Sequence, residues 1–123
     1  PIDPVSRADL MAGADLAEAS AVVAARVGLA RAAARRRWAD FGWHTNAEVP
    51  GPVLRSTAWR PDRQALGRLD HELELGALSA RGYDRVLKLS WTIADLAGKA
   101  SPGGAEVAEA IGLRTGRGMA SAS

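Results

Sequence analysis

The 123-residue sequence contains no cysteine, which excludes disulfides and thiolate metal sites and fits a cytoplasmic protein. It has one Phe and one Tyr beside four Trp, so its large aromatic material is mostly tryptophan. No stretch is long and apolar enough to span a membrane, and no signal-peptide pattern opens the chain. Lysine is scarce: nearly all the positive charge is arginine, and the formal net charge is +2. A GC-rich genome favours Arg and Ala together, and so does a phosphate-binding surface, because the guanidinium fork grips oxygens bidentately. The chain opens at Pro1 rather than Met, which is consistent with a fragment of a longer protein.

Chemical signatures are missing as well. The phosphate-cradling pattern G-x-x-x-x-G-K-[ST] does not occur. Pro102-Gly103-Gly104 precedes helix-forming sequence but carries no Lys, so it reads as structural. The two histidines, His44 and His71, lie in different elements, and His71-Glu72 lacks the second His of H-E-x-x-H. No serine sits in a G-x-S-x-G context. The chain by itself is therefore expected not to be an enzyme and to need no metal or cofactor.

What is present is helical. Length sets one domain, and abundant Ala means that close packing around Leu, Val and Trp must stabilise it. Ser6-x-x-Asp9 has capping-box spacing and predicts a short helix stopping at Gly13. Asp15-Leu16-Ala17-Glu18 predicts the start of a long helix ending near Gly42. Its seam is Leu16, Ala19, Val23, Val27, Ala30, Ala34 and Trp38, at steps of three or four. Asn46, Pro50, Gly51 and Pro52 break the segment from Trp43 to Trp59, which is long for a loop in a bundle. It is either functional or packed through its aromatic residues, and Val53 to Arg55 suit one short turn. Pro61 suits the first position of a helix with Leu66, Leu69, Leu73 and Leu75 on its apolar face, weakened at Gly76.

Ser79 caps a fourth helix whose inner stripe is Tyr83, Val86, Leu87, Ser90, Ile93, Ala94 and Ala97, with Gly98 as its stop. Ser101-Pro102 opens a last helix with Val107, Ala108 and Ile111, ending near Arg114. The expected fold is all-α, a small bundle of four to five helices. The expected domain covers residues 1–114, with a flexible Gly/Ser/Ala tail over 115–123.

Two basic clusters are candidates for binding. Arg81, Arg85 and Lys88 share one face at i, i+4 and i+7, and Arg81 falls in a first turn, where backbone N–H groups attract anions. Spacing alone favours a solvated face with an Asp84–Lys88 pair over a phosphate reader. Arg35, Arg36 and Arg37 concentrate charge at the end of the long helix, either as a solvated terminus or as contacts to nucleic-acid phosphates.

Leu78-Ser79-Ala80-Arg81-Gly82-Tyr83-Asp84-Arg85-Val86-Leu87-Lys88, followed by Thr92-Ile93-Ala94-Asp95-Leu96-Ala97-Gly98, resembles the C-terminal segment of magnesium-chelatase-like AAA+ ATPases of the ComM/YifB type. Glu109-Ala110-Ile111 with Arg114, Arg26-Val27 with Ala30-Arg31, the Thr45–Gly51 loop and Pro4-Val5-Ser6 extend the resemblance over residues 4–114. It departs at Trp91, where the family pattern carries Arg. Its position on the Asp84–Lys88–Asp95 side of the helix predicts that Trp91 lies off the core stripe, covering a loop or a domain interface.

The resemblance implies a helical lid over nucleotide bound by the ATPase core of the same chain. Arg81 then holds the place of a sensor arginine toward ATP, with Arg85 nearby. It also implies ATP and Mg²⁺ in the parent, neighbouring subunits in a hexameric ring, and action on DNA. Without it, a free-standing helical DNA-binding or protein-interaction module remains open.

Overall fold

The computed structural model describes residues 7–115. The order is α1 (Arg7–Trp38), two short 3₁₀ turns (Ala39–Phe41 and Asn46–Glu48), α2 (Gly51–Leu54), α3 (Arg63–Glu74), α4 (Ala80–Leu96) and α5 (Gly104–Thr115). No strand occurs among the described residues, so the bundle expected from the sequence is the fold. The Ser6 cap and the 116–123 part of the tail lie outside the described residues.

α4 is the central element. It packs against α5 on one side and the C-terminal half of α1 on another, while α3 lies against α5 and also touches α4. Val86, Leu87, Ser90 and Ala94 are buried along its inner face, as the spacing predicts. Ser79 caps it by accepting from the Gly82 N–H at 3.0 Å. Gly98 ends it in the left-handed region, where a side chain would be strained. Val107, Ala110 and Ile111 bring α5 into the same core. On α3 the buried positions are Ala65, Leu69 and Glu72, whereas Leu73 and Leu75 point outward.

Three expectations are corrected. Gly13 does not stop a helix: α1 runs unbroken for 32 residues. Glycine costs a helix interior only about 1 kcal/mol against alanine, which the surrounding Ala, Leu and Met sustain. Pro61 is not a first helical residue. Asp62 caps α3 by accepting from the Ala65 N–H at 2.9 Å, and Pro61 is buried one step earlier.

The third correction concerns Trp91, which is a core residue with 3% of its surface exposed. The 45–59 segment folds back over the polar side of α4 and buries it. Lys88 Nζ donates to the Ala47 carbonyl at 3.1 Å, and Gly51 sits under the Asp84 carboxylate. Trp59 meets Trp91 edge-on at 5.9 Å. Of the two roles expected for Trp91, contact with a loop is the one realised. Trp38 joins these rings to Trp43 and Phe41, so the long loop is packed through its aromatic residues.

The predicted stripe of α1 is only half covered. Ala30, Ala34 and Trp38 are buried, but Leu16 and Val23 are 69% and 56% exposed. From residue 10 to 26 every described side chain of α1 is exposed, so this half projects beyond the bundle.

Candidate functional site

The start of α4 gathers the features that suit an anion. Buried Leu78 anchors the approach, and the Ser79 hydroxyl occupies one first-turn N–H, leaving others to outside partners. Arg81 projects outward with no hydrogen bond or ion pair among the described residues. Across a cleft of about 360 Å³, lined by Ala77, Leu78, Ser79, Gly82 and Arg114, the last turn of α5 brings in a second arginine. An Nη atom of Arg114 lies 4.0 Å from where a Cβ on Gly82 would sit, so Gly82 keeps this approach open. Arg114 carries no role in the basic-cluster reading of the sequence. Its only signal there is the E-A-I-x-x-R ending.

The other members of that basic face diverge. Arg85 is exposed and has no recorded partner among the described residues. Lys88 is held by the Ala47 carbonyl. Asp84 pairs with Arg55 at 2.5 Å, from α2's C-cap, and not with Lys88. The face is therefore split between a free N-terminal end, Arg81 and Arg85, and an end fastened to the loop.

The three arginines closing α1 also separate. Arg35 and Arg36 are exposed. Arg37 turns inward and forms a buried ion pair with Asp95, whose side chain is 2% exposed. Its Nη1 also donates to Asn46 Oδ1 at 3.2 Å, and its guanidinium lies over the Trp91 ring, 4.3 Å from the centroid. Asn46 completes the network. Its Oδ1 accepts from Trp38 Nε1 at 2.9 Å, and its Nδ2 donates to Asp95 at 3.0 Å and Thr92 at 3.2 Å. Burial of charge is tolerable here because each group is paired and hydrogen-bonded. Trp91 Nε1 is buried without an acceptor, a cost of about 1–3 kcal/mol that its ring contacts must offset.

Two further groups are perturbed. Burial foremost, then the charge of Asp70 and the hydrogen bond to it, push the Tyr83 hydroxyl up to about 12. Hydrogen bonds from Lys99 at 2.7 Å and the Gly103 N–H at 2.8 Å hold the Glu106 carboxyl below its ordinary value. Neither group lies at the Arg81 end with a free cation, and both interactions secure helix ends. No cluster of His, Asp and Glu suited to a metal occurs among the described residues. No helix among them is long and apolar enough to cross a membrane.

A helical bundle centred on α4, with its Ser-capped start and a buried Asn–Asp–Arg network, defines a domain of the magnesium chelatase type. The family model for the C-terminal domain of the magnesium chelatase subunit ChlI matches residues 17–114, and the chain belongs to that family. It is 48% identical over 108 residues to an uncharacterized protein of Mycobacterium tuberculosis (strain ATCC 25618 / H37Rv) and, equally, to one of Mycobacterium bovis. Each match covers 88% of this chain and 21% of the relative, so the chain spans about a fifth of these relatives' length. No solved structure matches it.

Proposed function

We propose that this domain is the helical lid of a magnesium-chelatase-like AAA+ ATPase and that Arg81 contributes to binding and hydrolysis of ATP by the parent protein. The observation that carries the reading is the unpartnered Arg81 in the first turn of α4, beside a cleft that Arg114 also lines. Two guanidinium groups and open backbone N–H groups suit a polyphosphate, the more so where a covering core excludes water. Arg85, one turn further on, extends the positive field. Mg²⁺ would come with the nucleotide and be held by the parent's core. Closure of the lid would couple turnover to movement of the motor.

The test is Arg81→Ala in the full-length parent, with ATP turnover and thermal unfolding measured together. Loss of most turnover at an unchanged Tm supports the sensor role; unchanged turnover removes Arg81 from it. The lid reading carries with it a cytoplasmic hexameric ring acting on DNA.

A second reading, a DNA-binding module, is favoured by exposed Arg35 and Arg36 beside Arg31. Arg37 is committed to the interior and is not available to a phosphate. This reading requires DNA binding by the domain that weakens steeply with salt. Absence of binding at low salt rejects it.

A further inference from the structure

The uncovered half of α1 is amphipathic in both hydropathy and charge. Its apolar stripe, Leu16 and Val23, continues without a break into Val27, Ala30 and Ala34. Those three residues floor a cleft of about 380 Å³ between α1, the end of α4 and the His44–Ala47 turn. Arg31, Arg35 and His44 line the same cleft. Its only carboxylate, Asp95, is neutralised by Arg37. The cleft therefore suits an apolar side chain flanked by negative charge.

The N-terminal half of α1 offers that chemistry. Leu16 is exposed between Asp15 and Glu18, whereas the C-terminal half carries Arg26, Arg31, Arg35 and Arg36 with no carboxylate. Parallel pairing of two such helices sets like charge beside like charge. Antiparallel pairing sets the acidic half of each against the basic half of the other.

We propose that α1 is a self-docking surface. Two copies of this chain pair antiparallel about a two-fold axis near Val23, and Leu16 of each copy enters the cleft of the other. The register follows from arithmetic along the helix. Leu16 and Ala30 are each seven residues from Val23, so in this pairing Leu16 lies level with Ala30, a cleft residue, and Asp15 level with Arg31. Continuity with the α1–α4 interface and charge complementarity both select this occupant.

Nucleic acid fits the surface less well. The cleft floor is aliphatic, with no aromatic platform for a base, and the carboxylates of the outer half repel phosphate. A two-fold contact is isologous and so differs from the head-to-tail contacts that close a ring. The proposal does not rest on the ATPase reading.

The experiment is sedimentation and light scattering of the 123-residue chain, with helicity checked by circular dichroism. The wild type is expected to form a dimer. Leu16→Asp with Val23→Asp should weaken the dimer by roughly tenfold or more while helicity is kept, since both side chains are exposed in the monomer. Arg31→Glu with Arg35→Glu should likewise weaken self-association. Mixing that variant with Asp15→Lys plus Glu18→Lys should restore a dimer of the two. Because the chain has no cysteine, Val23→Cys should give a disulfide-linked dimer on mild oxidation, and Ala25→Cys on the opposite side of α1 should not. A wild-type chain that stays monomeric at high micromolar concentration overturns the proposal. So does a dimer indifferent to Leu16 and Val23, or one that cross-links equally through Ala25→Cys. A DNA complex formed through these residues by a monomeric chain overturns it too.

Discussion

Arg37 of α1 clasps Asp95 of α4 from within the bundle, with the face of Trp91 supporting its guanidinium at 4.3 Å. The pair joins the two longest helices where both approach the loop, and Asn46 bonds to both partners. Removing one partner leaves the other charged and buried. Arg37→Ala or Asp95→Ala should therefore lower stability by about 3–5 kcal/mol, whereas Arg37→Met combined with Asp95→Leu should cost far less. Urea unfolding of the three variants checks this. Equal losses for the double and single variants would contradict a stranded-charge explanation.

Gly51 is required by what lies above it. A Cβ built there would stand 2.6 Å from Asp84 Cγ, inside any real contact distance. Gly51→Ala should cost about 1–3 kcal/mol by overpacking. Shortening the obstacle with Asp84→Ala should remove most of that cost, because the Arg55–Asp84 pair it sacrifices is partly exposed and contributes about 0–1 kcal/mol. A double-mutant cycle with thermal unfolding reads the coupling, which should be clearly favourable to the pair of changes.

The start of α5 should respond to acid. Glu106 is held below its ordinary carboxyl value of 4.5 by Lys99 first and the Gly103 N–H second. The unfolded chain therefore takes up a proton before the folded one does. The stabilisation is complete above pH 4.5 and declines as pH falls through the depressed value. Urea midpoints taken downward from pH 6 should fall more gently in Glu106→Gln than in the wild type below that point.

Tyr83 gives the opposite dependence. It is the sole tyrosine, so its ionisation is readable in the ultraviolet without deconvolution from others. Burial and Asp70 raise its folded value to about 12 against 10.0 for the free side chain. Its contribution is intact below pH 10 and is lost as pH rises through about 12, because the unfolded chain releases its proton first. Asp70→Asn should move the observed titration midpoint downward, since it removes both a charge and a hydrogen-bond acceptor. A midpoint unmoved by that change would leave burial as the sole cause.

Much of the architecture was legible because it depends on local chemistry. Ser79 as a cap, Gly98 as a stop and the Val86–Leu87–Ser90–Ala94 stripe follow from spacing within one helix, and all three hold in the structure. The misread features depend on what lies opposite. Periodicity marked Leu16 and Val23 as apolar but carried no information about whether anything covers them. Trp91 occupied a polar side of its helix by the wheel, and only the returning loop makes that side interior. Arg37 stood in a run of three arginines, and nothing within the run distinguished the one that meets Asp95, 58 residues later. At the candidate site, Arg81 was marked by its place after a capping serine. Arg114 reaches the same cleft from another helix, a juxtaposition that spacing within α4 could not express.

The length of α1 has a mechanical consequence. Twenty residues lie before Val27, the first side chain of the helix to be even half covered, which is about 30 Å of rigid rod at 1.5 Å per residue. Its inner end is clamped by Trp38 and by the Arg37–Asp95 pair, so the rod cannot swivel freely there. A tilt of about 10° at the clamp carries the tip through about 5 Å, given that rise per residue. Conversely, a load on the tip is delivered as torque to the C-terminal end of α4, the helix whose other end presents Arg81. α1 is thus a lever whose fulcrum is the tryptophan cluster.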